Sequence, residues 1–129
     1  MTDLMTQAAW ILLAAFILSF VYELYRATAK AGTSRHDSME SFARNNIAFY
    51  VVATIVIALL FGASEWAAWI GLLFSGGAIV ASILYYNPTI MLQRVPGIID
   101  WLEDIVFTGL LFVAATLLLY QVLGVTLQP

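Results

Sequence analysis

The chain has 129 residues, 63% of them hydrophobic and 10% charged, with a formal net charge of -3. A soluble domain carries roughly 25% charged and 45–50% apolar residues, so this composition is that of an integral membrane protein, and the few loop charges give no reason to expect nucleic acid as a partner. The absence of cysteine excludes disulfides, a thiolate nucleophile and iron–sulfur ligation, and the single histidine, His36, is too few for a bis-histidine haem or a multi-histidine copper or zinc site within one protomer.

The expected fold class is an all-α integral membrane protein: one domain over residues 1–129 with four transmembrane helices and a short interfacial elbow between the third and fourth. The first helix is expected at about residues 7–25, with Trp10 near one end and Tyr22 and Tyr25 near the other. About 19 residues at ~1.5 Å each just cross the hydrocarbon. Asp3 stands where a secretory signal would carry a basic region, and no small-residue cleavage pattern follows, so this segment is expected to stay as a mature helix. Glu23, three residues before Arg26, is expected to form an interfacial ion pair with it.

A polar loop at about residues 26–40 holds Arg26, Lys30, Arg35, His36, Asp37 and Glu40 around the break Gly32-Thr33-Ser34. Asp37-Ser38-Met39-Glu40 has capping-box spacing, which predicts a helix start before the embedded part of the second helix at about residues 46–63. His36 and Glu40, at i and i+4, can contribute to a metal site between subunits; a solvated loop histidine is the plainer expectation. The second helix is rich in valine and isoleucine, yet an open strand in lipid would leave its backbone groups unpaired, so a helix is expected.

Gly62-Ala63-Ser64-Glu65 links this helix tightly to the third, at about residues 66–86. Ala67, Gly71 and Ser75 recur at four-residue spacing there, with Gly76, Gly77, Ala78 and Ser82 beside them. Small residues in such a stripe let backbones approach closely in lipid, which predicts the third helix as the centre of packing. The elbow, at about residues 87–100, holds two of the chain's three prolines. Asn87-Pro88 is expected to stop the third helix and to start a short surface helix that turns Gln93 and Arg94 toward water. The fourth helix, at about residues 101–125, is almost uniformly apolar, so much of its surface should face lipid or another subunit.

Arg26, Lys30, Arg35, Arg44 and Arg94 fall on one side of a four-span chain, and the positive-inside rule makes that side cytoplasmic, with both termini outside. A prokaryotic cytoplasmic (cell inner) membrane is the expected location. Trp10, Trp66, Trp69 and Tyr120 then lie toward the outer interface, and Tyr22, Tyr25, Tyr50, Tyr85, Tyr86 and Trp101 toward the inner one.

An ionisable residue held within a span usually marks function, and every charged residue here is expected within about a turn of an interface. Ser19, Thr54, Ser75, Ser82, Thr108 and Thr116 are the embedded hydroxyls, expected to bond the carbonyl one turn back. Asp100, Glu103 and Asp104, at i, i+3 and i+4, share a helical face that can hold magnesium or calcium. They also complement a helix N-terminus, with Asp100 and Glu103 in capping-box spacing, and this second role is the expected one; Arg94 is expected to pair with one of them. Arg44, Asn45 and Asn46 can bind lipid phosphate or a soluble ligand's carboxylate. With Arg94, Asp100, Trp101, Glu103 and Asp104 they form the candidate surface for a partner or lipid headgroups.

Arg44-Asn45 and Arg94-Val95-Pro96, in a four-helix chain with a cytoplasmic first loop, resemble the plan of the membrane-associated eicosanoid and glutathione metabolism (MAPEG) proteins, which are four-helix trimers. The resemblance implies an enzyme acting on an amphipathic substrate at the cytoplasmic interface. Ala48 stands where that plan expects an acidic residue, and Gly77-Ala78 where it expects glycine-arginine, so the likeness is to the frame and not to the glutathione-binding residues.

The leading expectation is a non-catalytic membrane subunit, accessory or structural within a larger oligomeric membrane enzyme complex. No cofactor is expected in the protomer, and the expected partners are membrane lipids and other membrane subunits or further copies of the chain. Alternatives are an enzyme on the degenerate MAPEG-like frame and a small homomeric channel with a hydrophobic gate.

Overall fold

The computed structural model describes residues 4–34, 36–62 and 65–124; the expectations placed on Asp3, Arg35, Ala63, Ser64 and Val125 lie outside the described residues. Helix α1 spans Leu4–Thr28, α2 Met39–Asn45, α3 Ile47–Phe61, α4 Glu65–Ala81 and α5 Ile98–Leu123; α4 runs on through a wide π-helical segment, Ser82–Met91, and a 3-10 turn, Leu92–Arg94. No strand occurs among the described residues. Three helical rods, Leu4–Thr28, Trp66–Arg94 and Ile98–Leu123, are long and apolar enough to cross a membrane, and α2 with α3, bent by 47°, is a fourth if the pair counts as one span.

The hub is α1 rather than the third predicted helix. Met5, Ala8, Ala9, Leu12, Ala15, Phe16, Ser19, Tyr22, Glu23 and Arg26 recur at three- and four-residue steps and form one buried face. That face packs against both α3 and α5. Its alanines let the neighbours approach, while Phe16 fills the middle in ring contact with Phe49, Tyr50, Phe74 and Phe107.

The small residues of α4 divide into two sets. Ala67 and Ser75 are fully buried, and a Cβ on Gly71 would lie 3.0 Å from both Leu118 Cδ1 and Leu60 Cδ2. Ser82 is also buried. Gly76 and Gly77 stand apart, because a Cβ at either would meet nothing within 4 Å. These two glycines take no part in packing within the protomer.

Several predicted boundaries move, each for a local reason. Asn87-Pro88 does not stop the helix. The chain widens into π winding from Ser82 to Met91 with Pro88 inside it, and Leu92 N–H donates to Asn87 O five residues back. The wider turn carries the proline ring past the carbonyls it would strike in an α-helix. With its carboxamide turned to donate, Asn87 also reaches Ser82 O at 3.2 Å.

Helix α2 is capped by Ser38, whose Oγ accepts Ser41 N–H at 3.0 Å, and not by Asp37. Helix α5 begins at Ile98, earlier than expected, because Asp100 reaches back to accept Gly97 N–H at 2.7 Å, which makes it the third helical residue and not the cap. Between these helices Val95, at φ 51° and ψ 70°, takes the left-handed conformation that β-branched residues avoid.

Candidate functional site: a buried charge lock and the cavity beside it

Following the buried face of α1 toward its C-terminus, the apolar side chains give way to Tyr22, Glu23 and Arg26. The phase of the helix turns all three inward, where the Asp37 loop, the 3-10 turn and the start of α5 meet them. Arg94 makes a two-pronged bond to Glu23, with Nη1 and Nη2 each donating at 2.9 Å. Arg26 makes another to Asp37, with Nε donating at 3.1 Å and Nη2 at 2.6 Å. The two forks are joined by Arg94 Nε, in ion-pair contact 3.1 Å from Asp37 Oδ1, and the cluster is extended by Arg26 Nη1, 3.5 Å from Asp100 Oδ1.

Neutral groups complete it. Tyr22 donates to Asp100, Arg94 Nη1 also donates to the Tyr86 hydroxyl at 2.9 Å, and Thr33 and Ser34 donate to Asp37 Oδ2 at 3.2 and 2.7 Å. The Asp37 side chain is 0% exposed and that of Arg94 3%. Burial alone would push the Asp37 carboxyl up, but the hydrogen bonds from Arg26 and Ser34, with the charges of Arg94 and Arg26, hold it below the usual carboxylate range.

This arrangement overturns four expectations. Glu23 pairs with Arg94, 71 residues away, and not with Arg26. Arg94 is buried in the lock and does not turn toward water; its carboxylate partners are Glu23 and Asp37, not Asp100, Glu103 or Asp104. Glu23 and Arg26 lie near the end of α1 and are held between helices, where a two-pronged arginine–carboxylate pair suits groups from which water is excluded. The face expected to be shared by Asp100, Glu103 and Asp104 is divided: Asp100 joins the lock, while the other two line a neighbouring cavity.

That cavity measures about 460 Å³ and lies between α1, the α2–α3 bend, the π segment and α5. Asn45, Asn46, Ser82 and Arg94 reach its wall. Asn45 Nδ2 donates to Ser41 Oγ at 3.2 Å, and His36 Nε2 pairs with Gln93 Oε1 at 2.7 Å. Glu40 lies 3.4 Å from Arg44, and both are exposed. Trp101 is exposed on α5.

The embedded hydroxyls behave in two ways. Thr54, Ser75 and Thr116 donate to the carbonyl one turn back, each at 2.8 Å. Ser19 instead pairs with Tyr50 Oη at 2.8 Å, and Ser82 with Thr108 at 3.4 Å. Among the described residues no group of three or more histidine or carboxylate side chains is placed to hold a metal ion.

Tyr22, Glu23, Arg26, Asp37 and Tyr86 were not among the residues singled out for a site. For the three on α1 the signal is the phase of the helix, since the stripe that includes Ala8, Leu12, Ala15 and Ser19 continues through Tyr22, Glu23 and Arg26; Asp37 and Tyr86 carry no such signal. No protein-family model, curated protein or solved structure matches the chain.

Proposed function

We propose that the chain is a non-catalytic, four-span subunit, accessory or structural within a larger membrane enzyme complex. The charge lock sits at the cytoplasmic face of a prokaryotic membrane, the turn from Val95 to Gly97 forms the elbow, and both termini lie outside. The observation that carries this reading is the lock itself. Its two arginines and three carboxylates pair with one another, which ties α1, the loop, the 3-10 turn before the elbow and α5 together. Such a closed end suits a scaffold, and the apolar outer face of α5, with Ile105, Phe112, Val113 and Leu119 exposed, offers a surface for lipid or a neighbouring subunit. Exposed Arg44 and Trp101 lie where headgroup contacts belong.

One observation favours the enzyme alternative: Asn45, Asn46 and Arg94 line a single cavity. Gentle detergent extraction from the native membrane followed by native mass spectrometry separates the readings. Co-migration with larger subunits supports the accessory role. A clean homo-oligomer overturns it, and retained glutathione or conductance in liposomes would then select the enzyme or the channel.

A further inference from the structure

The cavity beside the lock has an unbalanced wall. Arg94, the arginine that reaches it, is already paired with Glu23 and Asp37. Two other carboxylates on the wall, Glu103 and Asp104, have no cation within ion-pair distance among the described residues. Asp104 is only 7% exposed, and its partner among the described residues is the neutral Asn87 carboxamide, which, turned to donate, reaches Oδ1 at 3.0 Å. Glu103 is partly buried one residue before it. A buried carboxylate without a counter-charge is costly unless it takes up a proton, and a positive group that enters with a ligand can stand in for that proton.

The remaining walls specify what else that ligand carries. Phe49, Tyr50, Tyr86 and Phe107 line the same space, and aromatic faces beside carboxylates attract organic ammonium groups while packing against an apolar body. A hard metal ion prefers six or more oxygen ligands, which this wall does not assemble. The volume of about 460 Å³ falls within the range of small-molecule sites. We infer that the cavity is a binding site for an organic ammonium ion with an apolar body, its positive group held by Glu103 and Asp104 and its body by the aromatic walls. The site stands independently of the subunit role proposed above.

Calorimetric titration of the full chain in maltoside micelles tests this, with benzyltrimethylammonium and its neutral isostere (2,2-dimethylpropyl)benzene as probes. The cation should bind saturably at one site per chain and the isostere should not, a comparison that needs no variant. The double substitution Glu103→Gln with Asp104→Asn should weaken the cation by more than about tenfold. Asp104→Asn alone, mild in its effect on folding, should weaken it less. Equal binding of the isostere, unchanged affinity in a folded double variant, a response only to magnesium or calcium, or no saturable binding at millimolar probe would each overturn the assignment. Displacement of the probe by phosphatidylethanolamine would identify a lipid ammonium as the natural source; indifference to that lipid would identify a free amine.

Discussion

The two ends of the helical assembly are held together by different physics. Toward the start of α1 the contacts are apolar and close: Ala8, Ala9 and Leu12 are fully buried, Trp10 meets Phe61 edge-on, and Gly71 fits beneath Leu60 and Leu118. Toward its C-terminus the same helix presents Tyr22, Glu23 and Arg26 to four other charged or phenolic side chains, Asp37, Tyr86, Arg94 and Asp100. In lipid, apolar surface gains little by leaving the solvent, so the apolar end depends on shape. The locked end depends on a network of buried charges, and loss of one leaves the others exposed to the cost of burial.

The sharpest way to break this contrast is Arg94→Met, which keeps bulk and removes the charge facing Glu23 and Asp37. A loss of about 3–5 kcal/mol is expected, read as a fall in thermal midpoint in detergent. Arg94→Lys should recover only part, because an ammonium cannot reproduce the two-pronged bond. An unchanged midpoint in Arg94→Met would mean that the lock does not hold the fold.

At the apolar end, Gly71→Leu should cost about 1–3 kcal/mol by crowding Leu60 and Leu118, whereas Gly76→Leu, facing open space, should leave the protomer's midpoint unchanged. Comparable losses from both would move the packing face of α4.

Acid probes the lock without altering its shape. The folded Asp37 carboxyl titrates below its usual range, so its stabilisation is complete above the unfolded value of ~3.9 and is lost as pH falls through the folded value. The midpoint difference between the natural chain and Asp37→Asn should therefore be largest near neutrality and shrink in acid. A difference that stays constant down to pH ~2 would sever Asp37 from this behaviour.

The smallest effect belongs outside both ends. Glu40→Gln removes an exposed i, i+4 pair with Arg44 and should change stability by only about 0.3–0.5 kcal/mol.

The contrast also separates what the sequence makes legible from what it does not. Long apolar runs announce the helices because the bilayer leaves the backbone no other arrangement. The crowded residues of α4 are visible as small-residue spacing, but Gly76 and Gly77 lie beside them in the same small-residue run and face open space; small residues mark where an approach is allowed, not which neighbour uses it. Asn87-Pro88 does not break the helix, because π winding absorbs the proline. The lock was hidden by sequence distance. Glu23 had a nearby cation in Arg26, and Arg94 had nearby carboxylates, so local pairing looked complete. The actual partners are chosen by the inward phase of α1, which every residue of the stripe carries and no single residue announces.

The span of the lock also orders the birth of the fold. Arg26 and Asp37 are 11 residues apart and can meet as soon as the first loop has been made, whereas Glu23 precedes Arg94 by 71 residues and Tyr22 precedes Asp100 by 78. During synthesis, therefore, Glu23 is made long before its arginine exists, and that carboxylate must wait for its partner. Arrival of Arg94 lets Glu23 leave water, so the contact that distinguishes this end of the molecule is among the last to form, and its closure marks the passage from inserted helices to a finished protein.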